Sequence, residues 1–186
     1  MAGIIIGSAT TAGTSEYKTG FTGGSNIGDQ FELGYAFYPV TTGGASWAMA
    51  EIPVDGGAVL YPWGASINIP EVNEVSDLDR SGVNTAAIIA VSLDGNASQV
   101  ATFYFQNNYT GYVLPTTEGG MKMEISLVGI FDFAPYDGMS FWTSTEKSSS
   151  DAYYFTIRVG LPWIFGYDAK TSTKAVWPVI QYNLED

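Results

Sequence analysis

Phe141-Trp142-Thr143-Ser144-Thr145-Glu146, continued by Lys147-Ser148-Ser149-Ser150-Asp151-Ala152 and then by Tyr153-Tyr154-Phe155-Thr156-Ile157, reads as strand, polar turn, strand. Aromatic and β-branched residues on both sides favour a pleated, half-buried surface, and the serine run between them has no apolar area to bury. The stretch is therefore expected to be a β-hairpin. Within it Trp142 and Tyr154 are expected to tie the hairpin into the core. Ser144, Thr145 and Glu146 have the short polar side chains that hydrogen-bond neighbouring loop backbone. The hairpin is read as a scaffold, with binding left to the loops it supports.

The chain around it has 186 residues, which suits one domain with a terminal extension, and 46% hydrophobic content supplies a sizeable core. Twelve Tyr, 10 Phe, 5 Trp and 22 Gly suit short strands joined by tight turns. Nineteen acidic residues against seven basic ones give a formal charge of -12, which repels a phosphate backbone, so no nucleic-acid partner is expected. The absence of Cys and His removes disulfides, thiolate metal sites, the Cys nucleophile and the commonest general base. No cofactor and no metal are expected. Met1 to Gly7 offers no basic leader region and only Ile4, Ile5 and Ile6 as an apolar run, so neither an export signal nor membrane insertion is expected.

Residues 1–26 read as an N-terminal arm, rich in Gly, Ser and Thr, with Ile4, Ile5, Ile6, Tyr17 and Phe21 as its apolar contacts. Composition alone leaves open an unstructured leader or a docking segment that adds a strand to a neighbouring subunit. From residue 27 to 186 the texture becomes that of a compact domain. Phe31 to Tyr38 and Ser46 to Ile52 flank a Thr-Thr-Gly-Gly turn and predict a first hairpin. Trp63 is expected in the core. The acidic loop Pro70 to Arg80 lacks the spacing of a calcium loop and reads as solvated. Asn84 is expected to cap a helix over 85–91, Asn96 a second helix from 97 to about 106. Met123, Leu127 and Ile130 fall on one face of a short helix over 118–130, despite Gly119 and Gly120. Residues 161–174 read as a loop and 175–182 as the closing strand. Strands near both ends with helices between predict an α+β domain whose chain ends meet in one sheet.

The ordered series Gly34-Tyr35-Ala36-Phe37-Tyr38, Pro62-Trp63-Gly64, Gly82 to Ile89 with Asn84, Gly111-Tyr112-Val113-Leu114-Pro115-Thr116, Phe141 to Glu146, Ala152-Tyr153-Tyr154-Phe155 and Val176-Trp177-Pro178-Val179 resembles a bacterial and phage surface-domain family with a C-type-lectin-like fold. The resemblance covers residues 30 to 182. Its signature is approximately Gly-Tyr-x-Leu-Pro-Ser/Thr, then Tyr-Trp-Ser-Ser-Thr-Glu, then a closing Val-Arg-x-Val/Ile strand. It implies mixed, mostly antiparallel sheets, two flanking helices and long variable loops. The chain departs from the family at Trp177 and Pro178, where Arg is common, and in the Gly pair after Glu118. The calcium triplets of sugar-binding C-type lectins are not present: Pro70-Glu71-Val72-Asn73 and Trp177-Pro178-Val179 stand in the corresponding places. Zero Cys removes the chemistry of the related formylglycine-generating enzymes.

The function this implies is a non-enzymatic structural or binding module of a phage virion: a head fibre, decoration protein or tail adhesin. Its arm would dock on other virion proteins or on further copies in a homo-oligomer, a trimer for instance. Its loops would offer Tyr136, Trp163, Phe165 and Tyr167 to a host-surface glycan or protein, although loop packing explains these aromatics equally well. A bacterial cell-surface adhesin domain is the alternative. A glycan-cleaving enzyme would need paired carboxylates, and Glu146 with Asp151 or Asp132 with Asp137 are the pairs on offer.

Overall fold

The computed structural model describes residues 18–21, 23–38, 45–52 and 59–184. In chain order the strands are β1 (Lys18–Phe21), β2 (Gln30–Phe31), β3 (Gly34–Phe37), β4 (Ala45–Met49), β5 (Tyr61–Pro62), β6 (Ser140–Glu146), β7 (Asp151–Thr156), β8 (Ile164–Ala169), β9 (Thr173–Lys174) and β10 (Val179–Leu184). Three α-helices, α1 (Ser81–Val91), α2 (Ala97–Phe103) and α3 (Thr117–Leu127), lie between β5 and β6. The architecture is mixed α+β with mostly antiparallel sheets.

A five-stranded sheet has the order β1-β10-β4-β3-β2. The first described strand and the last pair in parallel, so the two ends of the described chain do share a sheet. β1 falls inside the segment read as an arm, and Lys18 to Phe21 are thus part of this sheet. Of the expected arm contacts, Ile4, Ile5, Ile6 and Tyr17 lie outside the described residues, while the backbone of Phe21 sits opposite Leu184.

Alternation along the central strands gives the sheet two apolar faces. Phe37, Trp47, Met49 and Val179 enter one core with Met123 and Leu127 of α3, Phe141, Phe155 and Trp177. Ala36, Ala48, Ala50, Ile180 and Tyr182 enter a second core with Leu33 and Tyr112. Register matches this division: Val179 pairs with Met49, and Ile180 with Ala48. A third core, beneath α1 and α2, gathers Trp63, Ile69, Val72, Ile88, Leu114 and Trp142.

Several expectations from the sequence are corrected. The run 31–38 is two strands, because the chain turns at Glu32–Leu33 and Gly34 re-enters at φ 118. A Cβ there would lie 2.0 Å from the Met49 carbonyl oxygen, so only glycine fits. Asn84 is not a cap. A 3-10 turn over Leu78–Arg80 runs straight into α1, which moves the helix start upstream; Asn84 then lies inside the helix and donates Nδ2 to Val75 O at 2.9 Å. Asn96, by contrast, does cap α2, accepting from Gln99 N at 3.0 Å. The supposed loop 161–174 contains β8, the antiparallel partner of β7, and β9, the partner of β5. The closing strand starts at Val179 because Pro178 lacks the N–H a ladder needs.

Helix α3 is capped by Thr116, whose Oγ1 accepts from Gly119 N at 3.2 Å. Its glycine pair has a packing reason. A Cβ on Gly120 would meet Phe155 Cδ1 at 2.9 Å and Phe165 Cε1 at 3.2 Å, so the helix backbone lies directly on these rings. Gly120→Ala should therefore destabilise the protein by about 1 kcal/mol, the overpacking cost exceeding the gain in helix propensity. Gly82→Ala, where a Cβ meets nothing within 4 Å, should stabilise it by up to about 1 kcal/mol. Urea unfolding of the two variants checks the opposite signs; a stabilising Gly120→Ala would remove the close-packing account.

Candidate functional site

The opening hairpin is β6–β7, and its pairing is irregular where the motif lies. Trp142 opposes Tyr154 and Glu146 opposes Ala152, so four residue steps on β6 face two on β7. Thr143, Ser144 and Thr145 thus face Tyr153 alone, leave the ladder and are buried with the rest of the strand from Phe141 to Glu146. Their polar groups are turned to neighbouring loops. Ser144 N donates to Pro115 O at 2.7 Å, Thr117 N donates to Thr145 Oγ1 at 3.1 Å, and Thr145 Oγ1 donates to Val75 O at 3.2 Å. Thr145 thus ties loop backbone as its residue type predicts. Ser144 does so through its N–H, while its hydroxyl is buried with no hydrogen-bond partner among the described residues.

The tryptophans extend the same tie. Trp63 Nε1 donates to Thr143 O at 2.6 Å, and Trp142 Nε1 donates to Tyr61 O at 2.8 Å. Both rings are core, as are Leu114 and Pro115. At the end of β6, Glu146 Oε2 accepts from Ile69 N at 2.8 Å. Its Oε1 lies 3.2 Å from Lys170 Nζ, with both side chains fully buried. Lys170 Nζ also donates to Ile67 O at 2.6 Å and stands 4.7 Å from the centre of the Trp63 ring. Burial pulls the Lys170 ammonium below its usual range, against the pull of Glu146. One buried ion pair thus joins the end of β6, the 67–69 loop and the turn after β8.

A second lysine braces the same core cluster at Trp142. Lys174 Nζ donates to Asp168 Oδ2 at 2.7 Å and sits 4.8 Å from the Trp142 ring and 4.2 Å from that of Tyr154. Tyr154 is half-buried and, with Trp142, fulfils the tie expected of it.

Of the four aromatics proposed for contact, the structure separates two from the surface. Tyr136 and Trp163, each 5% exposed, are core residues. Tyr136 stacks with Phe131 and packs on Trp177, and Trp163 stacks on Phe155 at 5.4 Å. Both turn into the core that holds Phe131, Phe155 and Trp177, where burying a large ring gains more than exposing it. Phe165 is half-buried beneath α3. Tyr167 alone is well exposed, at 61%.

Tyr167 has a partner that the sequence reading did not single out. Register places it opposite Tyr153, and the two rings meet edge to face at 6.2 Å. They lie on the same sheet side as Phe155 and Phe165, two residues further along each strand, which Gly120 of α3 covers. Tyr153 and Tyr167 are therefore the continuation of that aromatic row past the helix. Lys147 borders the row, paired with Glu74 and 5.8 Å from the Tyr153 ring. The Glu74 hydrogen bond raises the Lys147 ammonium above its usual range. Beyond it the Ser150 and Ser148 hydroxyls hold the Asp151 carboxylate below its usual range. This is an aromatic platform of two rings set edge to face, with fixed charges and hydroxyls at its edge. The period-two pattern of 151–156, set against a recognised β8, is the signal that would have found Tyr153.

The four carboxylates considered for glycan cleavage each have a structural role. Glu146 is committed as described, Asp151 accepts from two serines, Asp132 Oδ1 accepts from Ala134 N at 2.9 Å, and Asp137 Oδ1 accepts from Val159 N at 2.9 Å. A shallow hollow elsewhere, lined by Gln30, Phe31, Glu32, Glu51 and Asn107, has its polar groups bonded to one another: Gln30 to Glu51, and Asn107 Nδ2 to Glu32 O at 3.1 Å. No protein-family model and no curated protein matches the chain.

Proposed function

We propose that this chain is a non-enzymatic binding module with a C-type-lectin-like fold, built into a phage virion as a head fibre, decoration protein or tail adhesin. It presents the Tyr153–Tyr167 platform to a host-surface glycan. The observation that carries the reading is this pair of adjacent tyrosines, Tyr167 exposed and Tyr153 half-buried beside it, near the tip of a hairpin that is otherwise locked. Tyrosine supplies a rigid apolar face for the C–H side of a sugar ring and a hydroxyl for its edge, at low entropic cost. Asp151, Ser148 and the Lys147–Glu74 pair border the tyrosines and supply the kind of hydrogen-bonding groups that ring hydroxyls need. The fold assignment is supported by the pairing of the first described strand with the last, the helices between them and the hairpin bracing the loops. The non-catalytic reading is supported by the structural engagement of the candidate carboxylates.

Purified chain should bind intact host cells or their surface polysaccharide, and Tyr153→Ala/Tyr167→Ala should weaken that binding at least tenfold, which corresponds to about 1.4 kcal/mol. Equilibrium binding to extracted polysaccharide measures this. Unaltered affinity in the double variant would refute the platform, and release of reducing sugar by the purified chain would refute the non-enzymatic reading.

A further inference from the structure

Residues 81–117 carry a single charged residue, Asp94, in a chain that is 14% charged with a net charge of -12. This stretch contains α1 and α2. Helix α1, Ser81-Gly82-Val83-Asn84-Thr85-Ala86-Ala87-Ile88-Ile89-Ala90-Val91, has no charge on any face. Its polar residues Ser81, Asn84 and Thr85 lie on the buried side, so the side left to solvent is apolar, the reverse of an ordinary surface helix. Here Ile88 faces the core, but Val83, Ala86, Ala90 and Val91 are exposed. The residues that follow enlarge the uncovered surface: Leu93 is 90% exposed, Phe103 at the end of α2 is 81% exposed, and Phe105 is also exposed.

We infer that the outer side of α1–α2 is a self-association surface, covered in solution by a second copy of this chain. Charge decides the occupant. A different protein with basic groups would gain most on the acidic surfaces, whereas a second copy brings the same negative charge and approaches most cheaply where that charge is missing. A lipid surface is disfavoured, since an interfacial helix needs basic residues on its polar face and α1 and α2 have none. Size is sufficient. Val91, Leu93, Phe103 and Phe105 expose apolar area on the order of 500 Å² per copy. Pairing two copies would bury about 1,000 Å², the lower bound for a specific interface, before Val83, Ala86 and Ala90 are added.

Shape is suitable too. Gly82, Ala86 and Ala90 recur every four residues along α1, and a Cβ on Gly82 would meet nothing within 4 Å. Small residues at this spacing let two helices approach closely, with Val83 and Val91 packing alongside. This contact is independent of what the tyrosine platform binds.

Sedimentation equilibrium of the full chain at micromolar concentration is the test, run on wild type and on Leu93→Asp/Phe103→Asp. Both substituted side chains project into solvent, so the fold should survive, and near-UV circular dichroism checks that it does. The wild type should sediment at twice the chain mass or more and the double variant at the monomer mass. A second measurement does not depend on that variant. In a chain without cysteine, Ala86→Cys and Ala90→Cys should each form an intermolecular disulfide under mild oxidation, while Ser149→Cys at the hairpin tip should not. A monomeric wild type overturns the inference, as does a double variant that keeps the wild-type mass. Crosslinking at residue 149 as fast as at 86 and 90 does the same, and a monomeric chain that co-sediments with phosphatidylcholine vesicles replaces the second copy with lipid.

Discussion

Lys170→Met should lower the unfolding free energy by about 3–5 kcal/mol, because it leaves Glu146 as a buried carboxylate without its counter-charge. Glu146 has little else to draw on. Oε2 takes one hydrogen bond from Ile69 N, and the only cation within reach of Oε1 among the described residues is Lys170. The loss would be a large fraction of the roughly 5–15 kcal/mol that holds an ordinary domain together. The double variant Lys170→Met/Glu146→Gln should recover about half of the loss, since glutamine keeps an acceptor for Ile69 N and carries no charge. A double-mutant cycle in urea isolates the coupling. A Lys170→Met variant within 1 kcal/mol of wild type would show that the pair is not what fixes the loops.

The same pair shows where sequence reading reaches its limit. The β6–β7 hairpin was legible because its residue types state a local preference, and α3 because Met123 and Leu127 keep helical spacing after two glycines. The buried pair was not legible. Lysine in a core is rare, and nothing near Lys170 in the chain announces a carboxylate that arrives from another strand. Tyr136 and Trp163 show a related limit: an aromatic in a loop has no periodicity to say whether it points inward, and only its partners in the folded core decide it. β8 was hidden by Leu161-Pro162 before it and Gly166 within it, although its alternation is plain once β7 lies beside it. The displaced start of α1 has a local cause, the 3-10 turn over Leu78–Arg80, which made a good capping residue redundant. Half of the platform, Tyr167, was visible as a loop aromatic; Tyr153 needed the register.

Above pH 10 the protein should lose stability at about 3 kcal/mol per pH unit, from Tyr112 and Tyr182 alone. Both rings are fully buried in the core behind the five-stranded sheet. Tyr112 OH donates to Leu33 O at 2.9 Å and Tyr182 OH donates to Gly24 O at 2.6 Å, so each phenol is held in the form that can donate. Burial is the main cause that raises both well above the ordinary tyrosine value of 10.0, and burial followed by the charge of Glu51 pushes Tyr104 up to about 12. The sign follows from proton binding. A folded-state value that is raised gives stability fully present below pH 10 and lost as pH climbs towards the folded value, because the unfolded chain releases its phenol protons first. Lys170 acts the other way, since burial lowers its folded value from 10.5: its contribution grows as pH rises to 10.5 and is constant beyond. It therefore opposes the tyrosines only up to about pH 10.5 and not afterwards. Urea unfolding at intervals between about pH 9 and pH 11.5 should show the decline, and Tyr112→Phe and Tyr182→Phe should each remove about 1.4 kcal/mol per pH unit of it, although each is less stable at neutral pH for want of the hydroxyl bond. Stability that stays level to pH 11.5, or a decline unchanged by either substitution, would contradict the assignment of these two phenols as the alkaline weak point.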